Sequence, residues 1–254
     1  MAASATLYLV PNGLDVGTAE ADVDIRERLP LGTLRVAAQL GHWVCENAKT
    51  TRAFLKRVDA VAPLTKPLQQ IAIVELPRPP KGRPAPAPFD PAALLDPARA
   101  GHDLGLVCEA GLPAVADPGA RLVSAAHGAG IRVVALPGAS SITLAVAASG
   151  LNGQSFAFVG YLPIDAAERA ERIRALEAAS RRLAQTQLMI ETPYRNPALL
   201  AALVEHLQPA TMLAVSVGLT LRSEHTRSAP VAQWRAVPSA LPSDVPAVFA
   251  LLAR

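Results

Sequence analysis

The stretch Leu104-Gly105-Leu106-Val107-Cys108-Glu109-Ala110-Gly111-Leu112-Pro113-Ala114-Val115-Ala116-Asp117-Pro118-Gly119 decides how the chain reads. A short, apolar, β-rich run opens into a loop of small residues, and a helix-compatible segment, 119–129, follows. The pattern then repeats. Val133-Val134-Ala135-Leu136 opens into Pro137-Gly138-Ala139-Ser140-Ser141, with a second helical segment over 140–149. Strand–loop–helix units in succession predict parallel strands whose carboxyl ends carry the loops, which is where open α/β sheets hold their ligands. The two loops offer backbone N–H groups, small side chains and hydroxyls, and hardly any charge. They suit a neutral or zwitterionic organic cofactor better than a triphosphate.

Outward from this centre, short β runs alternate with helical runs to both ends of the chain. Strands are predicted at 7–10, 42–45, 71–75, 104–108 and 133–136, then at 156–159, 187–190, 213–217 and 247–252. Helices are predicted at 50–57, 91–98, 119–129, 140–149, 166–182 and 197–207. The alternation predicts an α/β fold with mostly parallel pairing in the first half. Asp117-Pro118 and Asn196-Pro197 each put an acceptor side chain before a proline at a helix start. Gly128 and Gly130 close the helix that Gly119 opens. The proline-dense run 77–88 reads as an extended surface loop. Leu151-Asn152-Gly153-Gln154 breaks the pattern before a new strand, so the expected domains are 1–151 and 152–254.

The chain has 254 residues, 51% of them apolar, which is enough for two cores. No apolar run is long enough to span a bilayer, and Met1-Ala2-Ala3-Ser4-Ala5-Thr6 lacks the basic start of a secretory signal. Cys45 and Cys108 lie in apolar stretches without metal spacing, and read as buried hydrophobes in a reducing cytoplasm. None of the five histidines pairs at ligand spacing, so no metal is expected. The net charge of +3 permits an RNA partner without demanding one. Arg169, Arg172, Arg174, Arg181 and Arg182, interleaved with Glu168, Glu171 and Glu177, read as a solvated helix face. Aromatic residues make up only 4% of the chain, too few for a base-stacking platform.

Three segments carry a resemblance: VCEAGLPAVADPGARLVSAAHGAGIRVVALPGASSITLAVAASGL from Val107, FAFVGYLP from Phe156 and IETPYRNPALLAAL from Ile190. With LYLVP and CENAKTTRAFLKR ahead of them, they resemble in order and spacing the tetrapyrrole-methylase-like superfamily of S-adenosylmethionine-dependent methyltransferases. The similarity is greatest to the ribosomal RNA small-subunit methyltransferase I branch, which 2′-O-methylates a cytidine. The resemblance implies two α/β domains, a mostly parallel N-terminal sheet and a mixed C-terminal sheet, with a cofactor cleft between them. It also implies S-adenosylmethionine as cofactor, ribosomal RNA or the small ribosomal subunit as partner, a homodimer, and a cytoplasmic protein with no membrane contact. The family's cofactor positions fall on Glu109, Ala110, Gly111, Leu112, Pro113 and Ala116, on Pro137, Gly138, Ser140 and Ser141, and on Glu191, Thr192, Leu219 and Thr220. The chain departs from the branch after its first strand, where Asn12-Gly13-Leu14-Asp15-Val16-Gly17 replaces Thr-Pro-Ile-Gly-Asn-Leu. Cys45-Glu46-Asn47-Ala48-Lys49 replaces Ala-Glu-Asp-Thr-Arg. Gly218-Leu219-Thr220-Leu221 replaces Glu-Leu-Thr-Lys, and Pro242-Ser243-Asp244-Val245-Pro246 stands where the branch has Lys-Gly-Glu.

Methyl transfer from a sulfonium is an in-line displacement, in which the protein positions the partners and excludes water. A hydroxyl acceptor also needs a base. Glu46, Glu109 and Glu191 all sit at predicted strand ends, and Glu46 keeps the branch's acidic position, so Glu46 is the expected catalytic residue. Each of the three could instead cap a helix or accept loop N–H groups. Gly111 and Gly138 fit a close ligand approach, or a tight turn. Ser140 and Ser141 divide between a helix cap and the cofactor. Arg195 reads as a phosphate or carboxylate partner or as a surface ion pair, and Asp117 as a cap. The acceptor stays open between RNA, a tetrapyrrole and another small molecule. A catalytically lapsed cofactor-binding paralogue with a regulatory role is the reading from another class.

Overall fold

The computed structural model describes residues 5–14, 23–77, 90–117 and 119–253. Most of the proline-dense run and Pro118 therefore lie outside the described residues. Five short strands, β1 (Thr6–Val10), β2 (His42–Cys45), β3 (Ala72–Glu75), β4 (Leu104–Val107) and β5 (Arg132–Ala135), form an all-parallel sheet in the order β3-β2-β4-β1-β5. Parallel strands need covered faces, and side-chain alternation along each strand sorts the cover. Val10, Trp43, Cys45 and Val107 point to one face, where α1 (Leu31–Gln39) and α2 (Ala48–Asp59) bring Leu34, Ala37, Phe54, Leu55 and Val58. Leu7, Leu9, Val44, Leu104 and Leu106 point to the other, against Leu95 and Ala98 at and within α3 (Asp96–Arg99) and Leu122 and Ala126 of α4 (Ala120–Gly128). The two cysteines are buried and free, as their apolar settings predict.

Residues from Ser141 onward form a second compact unit. It contains α5 (Ser141–Ser149), β6 (Phe156–Phe158), α6 (Ala166–Leu183), β7 (Thr186–Ile190), α7 (Asn196–His206), β8 (Met212–Val217), β9 (His225–Pro230), α8 (Val231–Ala236) and β10 (Ala247–Leu252). Its sheet runs β6-β7-β10-β8-β9, with β6 and β7 parallel and every other pair antiparallel. Ile173 and Leu176 of α6, Leu199 and Leu203 of α7 and Trp234 of α8 share one core with Met189, Val215 and Phe249 of the sheet. The α/β class, the parallel first sheet and the mixed second sheet therefore agree with the sequence reading. Among the described residues no helix is long and apolar enough to cross a membrane.

Among the described helices and strands named above, α1, α8 and β9 escape the sequence reading. The last is the polar edge strand His225-Thr226-Arg227-Ser228-Ala229-Pro230, with only Ala229 buried. The compact units part between Ser140 and Ser141, ahead of the compositional break at 151, because α5 buries Ile142, Ala145 and Val146 and packs against β8, β9 and β10. Glu177 corrects the solvated-face reading of α6. Arg172, Arg174 and Arg182 are exposed, but Glu177 is buried, and its Oε1 accepts the Gln208 N–H at 2.8 Å and the Thr211 hydroxyl.

Gly105 shows how tightly the first sheet is packed. A Cβ there would lie 2.6 Å and 2.8 Å from two ring carbons of the buried Trp43, whose indole N–H donates to the Leu40 carbonyl at 3.1 Å. Gly105→Ala is expected to lower unfolding free energy by about 1–3 kcal/mol through overpacking. Gly32→Ala on α1, which faces open space, is expected to leave it level or raise it by up to about 1 kcal/mol. Urea unfolding of the two variants checks both.

Candidate active site at the carboxyl edge of the first sheet

Because the strands are parallel, the segments that leave β1, β2, β4 and β5 emerge along one edge of the sheet. β1 runs out into Pro11-Asn12 and β2 into Glu46. β4 leads to the 108–117 loop, and β5 to Pro137-Gly138-Ala139-Ser140. Asn12 ties this edge together. Its backbone exchanges two hydrogen bonds with Gly111, Asn12 N to Gly111 O at 2.9 Å and Gly111 N to Asn12 O at 3.2 Å. Its side-chain Nδ2 donates to the carbonyls of Cys108 at 3.3 Å and Glu109 at 3.1 Å, and its Oδ1 accepts the Gly13 N–H at 2.8 Å. Asn12 is only 4% exposed, so these bonds have little competition from water.

The loop they hold is bent out of ordinary backbone space. Gly111 has φ +78°, and Ala114 and Ala116 have φ +66° and +64°. The glycine meets this at no steric cost, whereas each alanine pays about 1–2 kcal/mol. Asp117 supplies the compensation, since its Oδ1 accepts the N–H groups of Ala114 and Gly119, each at 2.8 Å. The bend leaves Ala110 and Ala116 exposed, Glu109 and Leu112 half-buried and Pro113 buried.

Glu46 approaches from β2, and its Oε1 accepts the Glu109 N–H at 3.4 Å. The side chains of Glu46, Cys108 and Asp117 bring their oxygen and sulfur atoms within 4.8 Å of one another. Burial pushes the Cys108 thiol far above its ordinary range, and the neighbouring carboxylates of Asp117 and Glu46 add to the shift. The thiol donates to the carbonyls of Ala110 at 3.1 Å and Gly111 at 3.3 Å. Held protonated in this way, it is neither a nucleophile nor a ready metal ligand. Burial also raises the Asp117 carboxyl, against the lowering pull of the Gly119 and Ala114 N–H groups.

Gly138 is small for a different reason. A Cβ there would fall 2.2 Å and 2.6 Å from carbons of the Pro11 ring and 3.1 Å from Leu29. The absent side chain lets the β5 exit pack on the β1 exit, and the Thr33 hydroxyl fixes it by donating to the Pro137 carbonyl at 2.7 Å. Ala139 is buried beside them and Ser140 is half-buried.

The remaining expected positions lie in the second unit. Glu191 follows β7 and is occupied internally. Its carboxylate is ion-paired with Arg195 and accepts the Thr192 N–H at 2.6 Å and the Thr192 hydroxyl at 3.3 Å. Arg195 thus has its ion-pair partner four residues away, and the hydrogen bond to Glu191 holds its guanidinium charged. Leu219 is buried after β8, and Thr220, at φ +70°, donates its N–H to Glu224 at 2.6 Å. The first sheet's edge therefore gathers Glu46, Glu109, Ala110, Gly111, Leu112, Pro113, Ala116, Pro137, Gly138 and Ser140. Ser141, Glu191, Thr192, Leu219 and Thr220 belong to the other unit. Sequence reasoning missed Asn12 as the organiser of the loop. The available signal was its place before Gly13 at a strand end, a turn-forming pair.

Two outcomes follow from this geometry. Asn12→Ala leaves two loop carbonyls without their donor and is expected to cost about 1–3 kcal/mol of stability. Asn12→Asp is expected to cost more at neutral pH, because it points a carboxylate at those same carbonyls. For Asp117 the folded-state carboxyl is raised above its unfolded value. Its contribution is thus fully present below the unfolded pKa and is lost as pH rises through the folded one. Asp117→Asn keeps an acceptor for both N–H groups, so it is expected to flatten the decline in stability on the alkaline side of the usual carboxylate range. Chemical denaturation as a function of pH reads both effects.

Comparison with known proteins places this architecture. The family model described as Tetrapyrrole (Corrin/Porphyrin) Methylases matches residues 44–234. The protein named Ribosomal RNA small subunit methyltransferase I in Mesorhizobium japonicum is 38% identical over 135 residues, covering 53% of this chain and 45% of that protein. Its namesake in Mycobacterium tuberculosis (strain ATCC 25618 / H37Rv) is 40% identical over 128 residues, covering 50% and 44%. The chain spans about half the length of the curated relatives it matches. The crystal structure of the methyltransferase CobJ aligns over 98% of this chain and 99% of its own at a TM-score of 0.53 and 16% identity, a likeness of fold. Since the family model runs from within β2 through the 108–117 loop and the β5 exit to most of the second unit, the chain belongs to the tetrapyrrole (corrin/porphyrin) methylase family.

Proposed function

We propose that this chain is an S-adenosylmethionine-dependent methyltransferase acting on small-subunit ribosomal RNA, at a cytidine 2′-hydroxyl. In this reading the carboxyl edge of the first sheet holds the methyl donor. The observation that carries the proposal is the 108–117 loop. It is bent through three left-handed residues, pinned by Asn12 and Asp117, and set beside Glu46. The names of the relatives in Mesorhizobium japonicum and Mycobacterium tuberculosis supply the acceptor class. A homodimer in the cytoplasm completes the reading.

The residues fit such a donor. Gly111, Ala114 and Ala116 are small, uncharged residues in left-handed conformation, a loop composition that suits a zwitterionic adenosyl compound. The backbone of Ala110 to Pro113 and of Pro137 to Ala139 would hold it. When bound, S-adenosylmethionine supplies a methyl group already activated on a sulfonium, so the chain's own work is placement and proton handling. In this reading Glu46 takes the acceptor's proton, which its half-buried position just after β2, beside the Glu109 N–H, supports. Glu191 does not serve as the base, since Arg195 and Thr192 already engage its carboxylate.

Glu46→Gln is expected to slow methyl transfer by roughly 10²–10⁴-fold while donor affinity stays near that of the parent. Single-turnover transfer of labelled methyl to small ribosomal subunits measures the first, and equilibrium dialysis the second. Nuclease digestion and mass spectrometry of ribosomal RNA from a deletion strain are expected to show one ribose methyl mark lost and restored by the intact gene. An unchanged RNA methylation profile, or transfer to a small tetrapyrrole acceptor instead, would overturn the RNA assignment.

A further inference from the structure

The opposite edge of the first sheet, where the strands begin, carries a second cluster of chemistry that the methyl-transfer reading does not use. An open hollow of about 450 Å³ is lined there by Thr6, His42, Lys66, His102 and Asp103, among others. His42 opens β2, and His102 precedes β4. The strands' neighbouring registers bring the two imidazoles together as a stacked pair, with ring centroids 5.0 Å apart and planes inclined by 24°. Lys66 comes from the segment after α2. Its side chain lies over Gly41, where its Nζ is 3.1 Å from the place a Cβ would occupy, so the missing side chain of Gly41 makes room for the ammonium. Asp103 is the one acidic residue in the lining, and its Oδ1 already accepts the Thr6 N–H at 2.8 Å.

We propose that this hollow is a binding site for a phosphate group. Three cation-capable donors from three separate segments face one space, and the single carboxylate among them is partly engaged by backbone. Like charges so placed repel one another until an anion joins them. In agreement with this, the protonated form of His42 is disfavoured by burial first, then by His102, then by Lys66. A tetrahedral oxyanion can accept from two imidazolium N–H groups and an ammonium at once, whereas a planar carboxylate has only two oxygens to share among three donors. A divalent cation suits the hollow less, because the Lys66 ammonium repels it. The edge is also far from the donor cradle. Strands of four to five residues separate the two ends of the sheet by about 13–17 Å of backbone rise.

An entering phosphate puts negative charge beside His42, whose protonated form the free hollow disfavours, so binding favours proton uptake on His42 and affinity rises as pH falls. The titratable groups lining the hollow beside His42 are Lys66 and His102, both of which oppose its protonation, and the carboxylate of Asp103. The ligand-free chain, labelled at histidine, can be titrated by NMR with inorganic phosphate and separately with a short RNA oligonucleotide at about pH 6 and about pH 8. The expected result is a saturable shift of both His42 and His102 signals, tighter at the lower pH, with affinity reduced roughly tenfold or more in Lys66→Gln and in His102→Asn. A response to inorganic phosphate marks a site for the free ion, and a response to the oligonucleotide alone marks a site for a backbone phosphodiester. Either one supports the proposal. No saturable shift with either probe overturns it, and so does an affinity that the folded Lys66→Gln variant leaves unchanged. Donor binding at the opposite edge is read separately and is expected to be the same in both variants.

Discussion

Everything at the carboxyl edge depends on the pairing of Asn12 with the loop after β4. Two backbone bonds to Gly111 and three side-chain bonds converge on one buried residue. Through them the exit of β1 and the exit of β4 behave as one rigid piece. The loop itself would not choose its shape, because two alanines in left-handed conformation cost about 1–2 kcal/mol each. The two N–H groups held on the Asp117 carboxylate fix the bend at Ala114 and Gly119. The same low-dielectric setting raises the Asp117 carboxyl. Its stabilising bonds and its desolvation are therefore opposite consequences of one burial.

The glycines of this edge divide their work. Gly111 is needed for its backbone angle, with only Leu14 at 3.4 Å and the Ala139 carbonyl at 3.9 Å from where a Cβ would stand. Gly138 is needed for its lack of volume, because Pro11 fills the place of its side chain. Gly105, one layer below, does for Trp43 what Gly138 does for Pro11. Of the two loop glycines marked in the sequence as points of close approach, then, one meets the protein's own backbone exit and the other shapes the loop that borders the cradle.

Much of the fold was legible because it rests on local signals. β2 and β10 coincide with their predicted bounds at His42–Cys45 and Ala247–Leu252, since short apolar runs between turn residues have few other readings. The edge strand β9 was illegible because Thr226, Arg227 and Ser228 carry no apolar alternation, and Arg227 is held by partners the sequence does not mark, the Trp234 ring and the Gln233 and Val237 carbonyls. The ending of the first unit at Ser140 was illegible too. The small residues of α5 serve either unit equally well by composition, and only tertiary packing assigns them to the second sheet. That a loop follows β4 was readable from its run of small residues and prolines. Asn12 was not, because its role lies in a partner 96 positions away. Glu177 was misplaced on a solvated face for a similar reason, since its partners Gln208 and Thr211 are distant in sequence.

The central claim is that the pinned loop grips a methyl donor, and titration calorimetry of the purified full chain tests it most directly. The account predicts one saturable site for S-adenosylmethionine and for its demethylated product. In Gly111→Val, whose side chain is strained at φ +78°, the account predicts weakening by roughly tenfold or more, with circular dichroism still showing a folded chain. A folded parent protein that takes up neither compound would contradict it.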